Sequence, residues 1–105
     1  MLLKHFMSKQ GDQLTFTVTF KNLNSSISSI ELGAKKSLEQ ESYDVYLYLN
    51  NGIYRLASNK YQITIPPEIT ADLEPAWYFY DLKIKIGSVV KTPLSGKLII
   101  QESVF

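Results

Sequence analysis

From Tyr78 to Ile86 apolar and polar side chains alternate without a break: Tyr78, Tyr80, Leu82, Ile84 and Ile86 fall on one side, and Phe79, Asp81, Lys83 and Lys85 on the other. A period of two sustained over such a length fits a strand with one buried face and fits no helix. A lone strand is unstable in water, so the rest of the chain has to supply partners and a core. Leu14-Thr15-Phe16-Thr17-Val18-Thr19-Phe20 repeats the pattern, with Leu14, Phe16, Val18 and Phe20 inward and the threonines facing water. Asn22–Ser29 is rich in residues that hydrogen-bond their own backbone and reads as a loop. Ile30, Leu32 and Ala34 resume the alternation, and the polar run Lys35–Glu41 ends it as a solvated loop.

Tyr43–Leu49, Asn50-Asn51-Gly52 and Ile53–Leu56 predict a hairpin, because Asn51-Gly52 supplies the two positive-φ residues of a type I′ turn. That register sets Leu49 opposite Tyr54, Tyr48 opposite Arg55 and Leu47 opposite Leu56, and a three-residue loop with a bulge would alter it. Arg55 over Tyr48 would then be an exposed cation–π pair worth about 0.5–1 kcal/mol. Tyr61–Ile65 is a further short strand, closed by Pro66-Pro67, whose missing amide hydrogens cannot extend a central ladder. Ile69–Leu73 carries a weak helical pattern long enough for one turn. Gly87-Ser88 turns the chain, Val89–Thr92 gives a short run, and Gly96–Gln101 is the last strand.

With 105 residues, 45% of them hydrophobic, the chain can bury one core, and we expect a single domain spanning 1–105. Closely spaced short strands without a long helix read as an all-β fold, an immunoglobulin-like β-sandwich of about seven or eight antiparallel strands, with a small barrel as the alternative. At most one short helical turn, near Ile69–Leu73, interrupts it. Leu73-Glu74-Pro75-Ala76-Trp77-Tyr78 is similar to the tyrosine corner of such sandwiches. Leu73, Pro75 and Tyr78 are its structural residues, and the Tyr78 hydroxyl is expected to bond back across the corner.

The chemistry available is sparse. Eleven Lys and Arg against ten Asp and Glu leave a net charge of +1, which argues against a general nucleic-acid binder. There is no cysteine, so disulfides, thiolate zinc sites and cysteine nucleophiles are excluded. Apolar runs fall far short of the roughly 20 residues needed to span a bilayer, and Met1–Met7 is too short an apolar start for a signal peptide. The single histidine, His5, lies near a terminus expected to be loose and is read as packing at a strand edge or facing solvent. Glu39, Glu41 and Asp44 cluster in sequence without the spacing of a ligand loop. Asp12 reads as a turn residue, and Asp81 as the partner of a lysine on a neighbouring strand. The five glycines are scattered and form no phosphate loop or nucleotide fingerprint. We therefore expect no enzyme activity and no catalytic, cofactor-binding or metal-binding residues. Aromatic side chains remain: Trp77 and Phe79, with Tyr48 and Arg55, are the candidate interaction residues, either as anchors of a protein interface or as a platform for a cell-surface glycan.

Three stretches together resemble a known family: Gly11-Asp12 leading into Leu14–Phe20, Ile69–Leu82 with its Leu73-Glu74-Pro75-Ala76-Trp77-Tyr78 corner, and Lys91-Thr92-Pro93-Leu94-Ser95-Gly96-Lys97-Leu98-Ile99-Ile100. They are similar to small immunoglobulin-like phage structural proteins, including the N-terminal module of upper baseplate proteins from tailed phages of Gram-positive hosts. Ala76 stands where that family usually has glycine, and Pro93 interrupts the approach to the last strand. The resemblance implies a non-enzymatic virion or prophage component, made in the host cytoplasm and located in the phage tail or baseplate. Its implied partners are other tail or baseplate proteins and further copies of itself, with no nucleic acid or membrane involved.

Overall fold

The computed structural model describes residues 2–21 and 26–105, so positions 22–25 of the predicted loop lie outside the described residues. The strands are β1 (Leu2–Leu3), β2 (Phe6–Lys9), β3 (Leu14–Thr19), β4 (Ser29–Lys35), β5 (Val45–Leu49), β6 (Gly52–Ala57), β7 (Lys60–Ile65), β8 (Ala76–Ile86) and β9 (Val89–Gln101), with one helix, α1 (Pro67–Asp72). They hydrogen-bond in the order β1-β9-β8-β4-β5-β6-β7-β3, and β2 also pairs with β9. The sheet curls over until its two ends meet, where the rings of Phe6 in β2 and Phe16 in β3 stack with centroids 4.1 Å apart. Two layers result: a front layer of β1, β2, β9, β8, β4 and β5, and a back layer of β6, β7 and β3.

Alternation sets the core. On β8, Tyr78, Tyr80, Leu82 and Ile84 are buried while Trp77, Phe79, Asp81, Lys83 and Lys85 are exposed. Ile30, Leu32 and Ala34 of β4 and Leu94, Leu98 and Ile100 of β9 join them, facing Ile53, Tyr61, Ile63 and Ile65 of the back layer in one cluster. Leu14, Phe16 and Val18 of β3 and Phe20 just after it pack against this core, and the threonines are exposed. Burial on this scale is the main stabilising term, at about 1.5–3 kcal/mol for each large apolar side chain.

The corner below β8 is held by polar bonds. The Tyr78 hydroxyl donates to the Glu74 carbonyl at 2.7 Å, and Leu73 is buried beneath it. Ala76 opens β8 without a positive φ, and Asn50 is the only non-glycine with one among the described residues. The helical segment spans Pro67–Asp72, starting earlier than its sequence pattern because Pro at the first helical position has no amide hydrogen to waste. Gly87 has φ 61° and joins β8 to β9 in a two-residue turn, with Ile86 opposite Val89.

Four expectations are corrected. The N-terminus is not loose: β1 and β2 run parallel to β9, with Leu2 opposite Leu94 and Phe6 opposite Leu98, so the sheet has nine strands among the described residues and is not wholly antiparallel. The hairpin at Asn51-Gly52 does not form. Positive φ falls on Asn50 and Gly52 instead, β5 and β6 meet only at Tyr48↔Gly52 and Leu49↔Ile53, and β6 swings away to pair with β7. Tyr48 therefore lies beside Glu31, Arg55 lies beside Tyr61 in the back layer, and the Tyr48–Arg55 pair is absent. Finally, Val89–Gln101 is one strand, with a register shift opposite Leu82 and Ile84 near Pro93, which lacks the amide hydrogen a regular ladder needs there.

Candidate functional site

The outward-facing residues of the front layer form rows across the strands. Lys97, Phe79 and Lys35 make one row on β9, β8 and β4, and Ser95, Asp81, Gly33 and Tyr46 make the next, extending to β5. Lys83, Glu31 and Tyr48 form a third. In the middle row small residues flank Asp81 on both sides, so the surface sinks between taller neighbours. The result is an open depression of about 600 Å³. Phe79, Tyr43, Tyr46 and Leu38 give it apolar walls, and Asp81 and Lys83 lie on its polar floor.

Tyr43 reaches this face because Gly33 makes room for it; a Cβ at Gly33 would run into the Tyr43 ring. Its ring stacks on Tyr46 at 5.2 Å, Tyr46 contacts Tyr48 at 5.7 Å, and the Lys35 ammonium sits 4.9 Å from the Tyr43 centroid. The Tyr46 hydroxyl donates to the Glu31 carboxylate, and that bond, with partial desolvation and the nearby charge, raises the Tyr46 pKa above its ordinary value. At the other side His5 Nδ1 accepts the Lys97 amide at 3.0 Å and so ties the N-terminal strand to β9. Lys97 Nζ lies 4.3 Å from the Trp77 centroid, leaving Trp77 57% exposed.

The four candidate interaction residues are thus only partly brought together. Phe79 lines the depression, Trp77 and Tyr48 lie outside it on the same face, and Arg55 belongs to the other layer, where its Nε donates to the Ala57 carbonyl. Tyr43, Tyr46, Glu31 and Gly33 were missed. The signal was present: Tyr46 and Tyr48 sit two apart, and a glycine inside a strand often marks a close approach. Asp81 faces Gly33 and Ser95 rather than a lysine. Asp44 accepts the Lys36 amide and the Gln40 side-chain amide, while the Asp12 carbonyl accepts the Thr70 hydroxyl. Among the described residues no group of three His, Cys, Asp or Glu is arranged to hold a metal ion, and no helix is long and apolar enough to cross a membrane.

No protein-family model matches the sequence, and no curated protein matches it. Similarity appears at the level of solved structures. A provisionally assigned glycoside hydrolase from Bacteroides vulgatus superposes with a TM-score of 0.56 at 11% identity, over 93% of this chain and 16% of that one, so this chain spans only a small part of that protein. The immunoglobulin-like domain of mouse leukocyte-associated immunoglobulin-like receptor 1, solved as a strand-swapped dimer, gives 0.55 at 11% identity over 92% of this chain and 88% of that one. The extracellular domain of the voltage-gated sodium channel beta4 subunit gives 0.45 at 11% identity, over 95% and 90%. At such identities the likeness is one of fold, and the fold is an immunoglobulin-like β-sandwich.

Proposed function

We propose that this chain is a non-enzymatic structural domain of a phage or prophage tail or baseplate, working through protein–protein contacts made by the outer face of the front layer. The observation that carries the reading is the exposed aromatic set on that face: Trp77 and Phe79 stand on β8, which lies between β9 and β4, and Tyr46 and Tyr48 stand on β5, paired along β4. Large rigid side chains on a paired sheet bury area with little ordering cost, as interface anchors do. The three family-like stretches, from Gly11 to Ile100, supply the phage assignment, and the implied location is the virion. Mass spectrometry of particles purified from the induced source strain tests it. The chain is expected at a fixed ratio to tail proteins, and a folded Trp77→Ala/Phe79→Ala variant is expected to be incorporated at least roughly tenfold less, as for loss of an interface hot spot. Absence from intact particles would overturn the reading.

The depression favours a second reading, a carbohydrate-binding module for a cell-surface glycan. Its size fits a small ligand, with ring walls for the apolar face of a sugar and Asp81 for its hydroxyls. This reading moves the platform from Trp77 to Phe79 and Tyr46. Glycan-array binding that is lost in Phe79→Ala and retained in Trp77→Ala would select it; a blank array for the folded wild type would dismiss it.

A further inference from the structure

The near-zero net charge conceals a separation of charge along the long axis of the molecule, which extends 46 Å. Strand directions define two ends. The lower end gathers the β2–β3 turn, α1, the corner at Glu74, the β4–β5 loop and the exit from β9. Bonds from Gln10 to Leu73 and Gln101, from Thr70 to Asp12 and from Lys36 to Glu74 hold them together. Every Asp and Glu of the chain except Glu31 and Asp81 lies in these segments. The cations there are Lys9, Lys35 and Lys36, of which Lys35 is bonded to the Gln40 carbonyl and Lys36 to Glu74.

The upper end gathers the β8–β9 hairpin tip, the β6–β7 turn and the end of β3, where Phe20 donates to Asn59 and Ser28 to Lys85. It carries Lys21, Arg55, Lys60, Lys85 and Lys91, all exposed, and among the described residues no carboxylate. At its summit Val89 and Val90 are 52% and 53% exposed, with Lys85 paired opposite Val90 and Lys91 next in line. The lower end offers a matching apolar residue, Leu38, 76% exposed beside Glu39. An apolar tip ringed by cations and an apolar knob set among carboxylates are complementary in both terms. The two ends of one molecule are several Debye lengths apart at physiological salt and cannot satisfy each other.

We propose that copies of this chain associate head to tail, the basic β8–β9 tip of one seated on the acidic lower end of the next. Such a contact is heterologous, so it builds a ring if the rotation between copies closes and a filament if it does not. It uses the poles of the domain and leaves the aromatic face uncovered, and it stands on the charge distribution independently of what that face contacts.

Sedimentation velocity on the full chain tests it at about 20 mM and about 500 mM salt, either side of the range where exposed charges are screened. Association at low salt and monomer at high salt are expected. Lys85→Glu/Lys91→Glu and Glu68→Lys/Asp72→Lys, all at exposed positions, are each expected to be folded by circular dichroism and monomeric. An equimolar mixture of the two is expected to associate again, because the reversed tip of one now matches the reversed lower end of the other and their two unreversed ends match as in the wild type. A wild type that is monomeric at low salt would overturn the proposal, including one that binds heparin through its tip. Unaltered association of the tip variant would also overturn it, as would a mixture that stays monomeric. Dissociation by Trp77→Ala with the charge variants still associated would move the contact to the aromatic face, against this proposal and in favour of the preceding one.

Discussion

The two layers meet in one core but turn different surfaces to solvent. Outside the back layer, Thr15, Thr17 and Thr19 stand opposite Thr64, Gln62 and Lys60, and the Thr15 and Thr64 hydroxyls bond at 3.2 Å. Outside the front layer stand Trp77, Phe79, Tyr46 and Tyr48, with lysines and carboxylates between them. Threonine on an exposed strand satisfies β-propensity at little risk of adhesion. Exposed tryptophan and phenylalanine incur that risk more than Tyr54 and Leu56, the exposed apolar residues of β6 on the back layer, and the function proposed above places its contacts on the front.

The largest effects should ignore the contrast. Leu82→Ala in the front layer and Ile63→Ala in the back layer each empty a fully buried site, and each is expected to lower stability by about 2–5 kcal/mol. Because the cluster is continuous, both variants should unfold in a single transition by urea, with Trp77 fluorescence and far-ultraviolet circular dichroism coinciding. Separate transitions would divide the layers into independent units.

A smaller effect is particular to the front layer. Burial, and then the charge of Asp81, raises the Tyr80 phenol to about 12 from 10.0, and its hydroxyl donates to the Lys4 carbonyl at 2.7 Å. The folded state thus holds a proton that the unfolded state releases first. The stability this provides is fully present below pH 10.0 and is lost as pH rises towards about 12. Tyr80→Phe should flatten the fall in stability across that window, measured by urea titration at each pH. An unchanged slope would place the alkaline sensitivity elsewhere.

The smallest effect sharpens the contrast. Thr17→Ala on the back face is expected to shift stability by no more than about 0.5 kcal/mol and to leave particle incorporation unchanged. Loss of incorporation in that variant would give the back face a role in recognition.

Much of the fold was legible because alternation is local. The faces of Tyr78–Ile86 and Leu14–Phe20 follow from the chain alone, as does the Leu73–Tyr78 corner. What stayed hidden depends on distant partners. Leu2–Lys9 is too short for its own periodicity to show, and its partner β9 lies at the far end of the chain. At Asn50-Asn51-Gly52 the local preference for a hairpin was overridden by the pairing of β6 with β7. On the front face Phe79, Trp77 and Tyr48 were legible and Tyr46 follows from its spacing of two from Tyr48, whereas Tyr43 joins through the space above Gly33, which depends on the packing of a loop against a distant strand.

The parallel pairing of β2 with β9 also bears on mechanics. The chain enters this ladder at Leu2, level with Leu94, and leaves it past Gln101, level with Lys9. Tension drawn between the entering and leaving segments therefore loads the ladder in shear along its length, so its hydrogen bonds must give way together rather than unzip in sequence. A domain strung in line with others would yield to such a pull only through the high barrier of that concerted rupture, which makes it a stiff link under load.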